Sequence, residues 1–260
     1  MVTIDQLAAA CDERTRAIGI ASVSFATGDK VDLGAISRFC EEKGILLLVD
    51  AVQSLGIHDF SVRRTPVAAA AAATSKGLLG LYGLGVLYVR KELAARLHPN
   101  YLARYSVDLG DSHEEVLGDF SYALAAGARR FEVGNWNYLA LHALEAGIDQ
   151  VAAIGVKEIE RHVVGLAAAL SRGVEELGYV LRSPRPDDAP EAVSHIVILT
   201  PGHGRPGGKW PSVREVSNQL KAAGIRHSVR RGGLRLSFHM YNNMGDVGVI
   251  LDTLKRARPD

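Results

Sequence analysis

Two residues carry the first chemical suggestion in this chain. Asp50 stands directly after the apolar run ILLLV (45–49), and Lys76 follows a second apolar stretch, residues 67–73. Short apolar runs of this kind read as strands buried in a parallel sheet. Ligands of open α/β sheets gather at the carboxyl ends of such strands. A carboxylate and an amine on neighbouring strand ends can face one another across a flat heterocycle. The amine can form an imine with an aldehyde, and the carboxylate can hold a ring nitrogen protonated, which keeps the ring an electron sink. A pyridoxal ring needs this pair. Each residue also has a plainer reading. An aspartate after a strand often caps a helix, and a lysine ahead of glycines often sits in a solvated loop.

The elements that must position the pair alternate in type. Residues 3–10 read as a helix, with Thr3 and Gln6 spaced as a capping box. Residues 16–25 (RAIGIASVSF) are a strand candidate, and 32–43 repeat apolar residues at Leu33, Ile36 and Cys40 before Gly44, as a helix with a glycine stop would. Residues 45–49 are expected to be buried on both faces. Residues 67–73 and 84–89 complete a strand–helix–strand order that implies a mainly parallel sheet. Beyond Arg90, short helices and loops precede a long helical stretch, 138–177, expected to break near Gly155. The remainder reads as a smaller α+β unit, with strands near 179–182, 194–199 and 234–237 and helices near 212–223 and 244–256. PGHGRPGGKW (201–210) reads as an exposed loop. The expected division is residues 1–155 and 156–260.

Bulk properties exclude several function classes. With 260 residues, 47% of them hydrophobic, the chain can bury a large core and a satellite one. Thirty basic residues against 29 acidic ones give a net charge of +1, too balanced for a nucleic-acid or anionic-membrane surface. Cys11 and Cys40 lack CxxC spacing, and the nine histidines form no HExxH, so no metal is expected. The charged N-terminus does not read as a signal peptide, no run is long enough to span a bilayer, and a cytoplasmic protein is expected. The glycines at 77, 80, 83 and 85 fit neither GxGxxG nor a Walker loop, and a strand rather than a helix follows them.

Four separated segments, LLLVDAVQSLG (46–56), SKGLLGLYGLGVLYVRKEL (75–93), RFEVGNWN (130–137) and RGGLRLSFHMYNN (231–243), resemble the class V aminotransferase superfamily, in that family's order. The superfamily includes cysteine desulfurases and isopenicillin N epimerase. The resemblance implies the fold-type-I architecture of pyridoxal-phosphate transferases: a truncated large domain with a mainly parallel sheet, and a small C-terminal α+β domain. It implies pyridoxal 5'-phosphate as cofactor and Lys76 as the Schiff-base lysine. By the same resemblance Asp50 pairs with the pyridine nitrogen, Gln53 lies beside the phenolic oxygen, and Arg235 grips the substrate α-carboxylate. Thr74 and Ser75 would be phosphate donors on the lysine loop, and Asn135 would reach the cofactor phosphate of a partner subunit.

Departures from the pattern are equally specific. Ser75 stands where a histidine often precedes the lysine, Gly77 where some relatives carry tryptophan, Phe25 where asparagine is frequent, and Ala68 where an aspartate is usual. Nothing before Ala21 resembles the family's N-terminal phosphate-binding turn and ring-stacking residue. The expected activity is transfer, epimerisation or elimination on an amino acid. Typical desulfurase chemistry is not expected, because neither cysteine lies near the arginine segment. The alternatives are a non-catalytic remnant, or a half-enzyme completed by a separate N-terminal chain. A homodimer, or a heteromer with the missing half, is expected.

Overall fold

The computed structural model describes residues 2–108, 122–202 and 210–258. Its local features follow from side-chain chemistry. Helix α1 (Ile4–Ala10) opens on a reciprocal cap: Thr3 Oγ1 accepts the Gln6 N–H, and Gln6 Oε1 accepts the Thr3 N–H. Helix α2 (Leu33–Lys43) begins at Asp32, whose carboxylate takes the Ala35 N–H, and stops at Gly44 in the left-handed region at φ 65°. Around them lie β1 (Ala17–Ala21), β2 (Leu46–Asp50) and β3 (Ala69–Ala73), paired in parallel, with β4 (Gly85–Val89) antiparallel at the β3 edge.

Among the described residues, this first sheet is covered on one face. The α2 residues Ile36, Phe39 and Cys40 share a core with Leu47, Val49, Ala70 and Ala72. The other face presents the cross-strand row Gly19, Leu48, Ala69 and Val89, with Ala71 and Leu87 paired two residues on, and Leu48 is 37% and Leu87 48% exposed. The expectation that residues 45–49 are buried on both faces is therefore corrected. An apolar run records that a strand belongs to a sheet, and cannot record whether a layer lies over each side of it.

After β4 come α3 (Lys91–Arg96) and a two-stranded ribbon of β5 (Val107–Asp108) and β6 (Ala123–Leu124). Helices α4 (Tyr138–Ile154) and α5 (Val156–Glu176) meet at 81° at Gly155, where φ is 88°. No single helix among the described residues is long and apolar enough to cross a membrane. The second sheet has the order β7 (Val180–Leu181), β8 (Ile196–Thr200), β10 (Gly233–Ser237), β9 (Ser228–Arg230), antiparallel throughout. Helices α5, α6 (Val213–Ala222) and α7 (Met244–Ala257) pack on it through Leu166, Leu170, Val174, Leu220 and Leu254. Its other face meets the segment after β1: Val23 buries against Ile196 and Ile198, and Lys30 N donates to Ala192 O at 2.9 Å. Of the expected exposed loop at 201–210, residues 203–209 lie outside the described residues.

Candidate active site

The carboxyl ends of β2 and β3 open on one side of the first sheet, and each is fixed by its own turn. Beyond β2, Asp50 Oδ1 accepts the Val52 N–H at 2.9 Å, a local bond of the capping kind that leaves the rest of the exposed carboxylate free. Beyond β3, Thr74 is fully buried, with its hydroxyl 3.0 Å from Leu84 O and 3.2 Å from Leu81 O. One hydroxyl proton shared between two carbonyls closes the loop that carries Lys76. Leu79, at φ 57°, is held in the left-handed region within this loop, a strained conformation for a leucine.

The glycines explain how tightly the two turns are joined. A Cβ on Gly77 would lie 2.2 Å from Leu55 O, and one on Gly56 would lie 2.4 Å from Gly77 O. The two backbones touch, which only glycine permits. On the far side, a Cβ on Gly147 of α4 would lie 2.1 Å from Leu78 O. Gly77 therefore departs from the bulky residue of some relatives for a reason visible here. The space a side chain would need is filled by the Asp50–Gly56 segment.

Between the first sheet and β9–β10 lies a cavity of about 710 Å³, and Asp50, Gln53, Ser75, Lys76 and Arg235 all line it. Burial, followed by the positive charge of Arg235, lowers the Lys76 ammonium from its ordinary range, opposed by Asp50. Across the cavity, Arg235 on β10 reaches Gln53 Oε1 at 3.4 Å, while its Nε is buried without a partner. Ser228, its cross-strand neighbour on β9, also has a buried, unpaired hydroxyl. Two adjacent orphaned polar groups at one cavity are unusual in a folded protein and mark a place for a polar ligand. Burial, then Arg230, lowers the Arg235 guanidinium from its usual value.

Of the residues singled out from sequence, two stand apart from this cavity. Thr74 holds the lysine loop from beneath and does not line the cavity. Asn135 is exposed two residues before Asn137, the N-cap of α4, and also lies off the cavity wall. His239 also lines the cavity, with Nε2 3.2 Å from Gly77 O and its ring stacked on Tyr241 at 4.9 Å. Sequence reasoning missed Ser228, which sits in a three-residue strand too short for any periodicity. It also missed His195, which precedes β8 and lines the cavity while 3% exposed. Nothing in its sequence neighbourhood marks it.

The chain is similar to known proteins along most of its length. The profile of the aminotransferase class-V family matches residues 1–250. An uncharacterised aminotransferase of Bacillus subtilis is 30% identical over 232 residues, covering 89% of this chain and 57% of its own length. A probable cysteine desulfurase of Methanothermobacter thermautotrophicus is 27% identical over 259 residues, covering 95% and 61%. Among solved structures, the apo cysteine desulfurase of Thermococcus onnurineus NA1 superposes with a TM-score of 0.78 at 25% identity, covering 93% of this chain and 59% of that one. The cystine C-S lyase C-DES, in complex with cysteine persulfide, gives a TM-score of 0.84 at 22% identity, covering 98% and 65%. The chain thus spans little more than half the length of the curated relatives it matches. Its strand-end aspartate and lysine, its glycine-locked loop and its match over residues 1–250 lead to one conclusion: the chain belongs to the class-V aminotransferase family.

Proposed function

We propose that this chain carries the lysine-bearing part of a pyridoxal-phosphate enzyme acting on an amino acid by transfer, epimerisation or elimination. The observation that carries the reading is the convergence of Lys76, Asp50 and the unpaired Arg235 Nε on one cavity. These residues fit the cofactor. Lowering the Lys76 ammonium favours the neutral amine, which is the form that attacks an aldehyde. Asp50 keeps an open carboxylate at the strand end for a ring nitrogen, and Ser75 on the cavity wall suits a phosphate oxygen. When bound, pyridoxal phosphate supplies the electron sink that stabilises negative charge at Cα. Arg235 then does the positioning. Its planar fork takes a carboxylate in two parallel bonds, and Gln53 steadies it from the side. Once free, the Lys76 amine sits where it can take or return a proton.

Desulfurase chemistry is not part of the proposal. Cys40 is buried in the first core and Cys11 packs beside the same core, so neither lines the cavity. The uncovered face of the first sheet supports a working assembly with a further layer, from a second copy or from polypeptide matching the unspanned part of the relatives. Asn135 at the surface fits a role toward a neighbouring subunit in such an assembly. Titration of the purified protein with pyridoxal phosphate tests the reading. A visible absorbance band is expected, and it should be lost in Lys76→Ala. A protein that stays colourless at millimolar cofactor overturns it.

A further inference from the structure

A continuous line of hydrogen bonds leads away from the cavity wall through residues the proposed chemistry does not use. Glu160 on α5 accepts from Lys30 Nζ at 2.7 Å and from the Asp59 N–H at 2.9 Å. Its Oε1 lies 3.0 Å from His58 Nδ1, and His58 Nε2 lies 3.1 Å from His195 Nδ1. Both rings are buried, at 4% and 3% exposure. His195 lines the active-site cavity, whereas His58 and Glu160 line a second cavity of about 590 Å³ shared with Lys30, Asp59, Arg64 and Glu191. Three segments remote in sequence thus build one path between two cavities.

Proton counting fixes what this line can do. The His58 hydrogen bond, then those of Lys30 and the Asp59 N–H, hold the Glu160 carboxyl far below the ordinary carboxylate range against the effect of burial. An ionised carboxylate only accepts, so His58 Nδ1 must carry a proton. A neutral His58 then has a bare Nε2, which takes the His195 Nδ1–H. That leaves His195 Nε2 as a lone pair, with no hydrogen bond to any described residue. If a proton arrives at Nε2, the Nδ1 proton passes to His58 Nε2 across 3.1 Å. One proton has entered and one has moved. His195 ends neutral with an Nε2–H, and the positive charge rests on His58 against Glu160.

We propose that His195 takes up and returns a proton at the active-site cavity, with His58 and Glu160 as the relay that moves the charge away from it. The proposal rests on reading that cavity as the active site. The surroundings explain why a relay is needed. Burial, then His58, Arg235, His239 and Lys76, disfavour an imidazolium at His195 itself, so a lone imidazole there would be a weak base. Passing the proton on places the charge beside a carboxylate instead of beside Arg235 and Lys76. The cavity would then hold a second proton carrier besides the Lys76 amine, as reactions that exchange a proton at Cα or Cβ use.

The test reads tautomers directly and needs no cofactor. In the ¹⁵N-histidine-labelled protein, NMR should show His58 and His195 both as Nδ1–H tautomers at alkaline pH. On acidification His195 should switch to the Nε2–H tautomer while His58 becomes imidazolium. Glu160→Gln keeps an acceptor oxygen but removes the counter-charge, and should lower the midpoint of that switch by about one pH unit or more. With cofactor and an amino-acid substrate in D₂O, His195→Gln should slow exchange of the substrate's Cα proton at least tenfold while the Lys76 absorbance band persists. A His195 that keeps one tautomer at every pH, or a Glu160→Gln midpoint equal to that of wild type, overturns the relay. So does unchanged exchange in His195→Gln. Loss of the absorbance band from the wild-type protein would strike the Lys76 reading alone, because the tautomer switch is measured without cofactor.

Discussion

Two strands of similar apolar character, β2 (LLLVD) and β8 (IVILT), are finished differently in the two sheets of this molecule. β8 is buried along residues 196–199, because three helices cover one face and the segment after β1 covers the other. β2, with the run LLLV, buries Leu47 and Val49 toward α2 and leaves Leu48 on an open row. What separates them is the presence of a second layer. The candidate active-site cavity lies between the two sheets, so the closed sheet carries Arg235 while the open one carries Asp50 and Lys76.

The sharpest way to break this comparison is to truncate one leucine from each sheet. Leu199→Ala, at a fully buried position, should destabilise the protein by about 2–5 kcal/mol, through lost transfer free energy and a residual cavity. Leu48→Ala should change stability by no more than about 0.5 kcal/mol, as exposed substitutions do. Chemical denaturation measures both. A Leu48→Ala cost matching that of Leu199→Ala would mean the row is covered in solution. Light scattering sharpens the same point. Exposed apolar surface of this kind seldom persists on a monomer, so an assembly of more than one chain is expected, and a stable monomer at micromolar concentration would contradict it.

A smaller effect is expected where the lysine loop meets the Asp50–Gly56 turn. Gly77→Ala forces a methyl group into the Leu55 carbonyl, and overpacking of this kind costs about 1–3 kcal/mol. Cofactor affinity should fall with it, because Lys76 is the adjacent residue. Unchanged stability and affinity would show that the two turns are not locked together.

The smallest effect is a pH dependence at Glu160, which ties α5 of the closed unit to the 58–59 turn of the open one. Its carboxyl is lowered in the folded state, so it stabilises the fold at pH above its unfolded value. That contribution fades as pH falls from there toward the folded value. The gap between wild-type and Glu160→Gln unfolding midpoints should therefore hold at neutral pH and narrow below about pH 4.5. A gap that does not change with pH would remove the charge from the explanation.

Sequence alone carried the local grammar well. The Thr3–Gln6 box, the glycine stop at Gly44 and the break at Gly155 depend on neighbours a few residues apart, and each is found where the pattern places it. The positions of Asp50 and Lys76 beyond strand ends were legible because each follows an apolar run. The open face of β2 was not, since an apolar side chain looks the same whether or not a helix lies over it. β9 and β6 are too short to show a period. The line from Glu160 through His58 to His195 joins residues more than a hundred positions apart, and no spacing rule connects them.

The central claim is that Lys76, and no other lysine, is the amine that binds the cofactor. Borohydride reduction of the protein incubated with pyridoxal phosphate, followed by peptide mass mapping, tests it most directly. The account predicts a single pyridoxyl adduct on Lys76. An adduct on Lys30, Lys43 or Lys91 with Lys76 unmodified would contradict it.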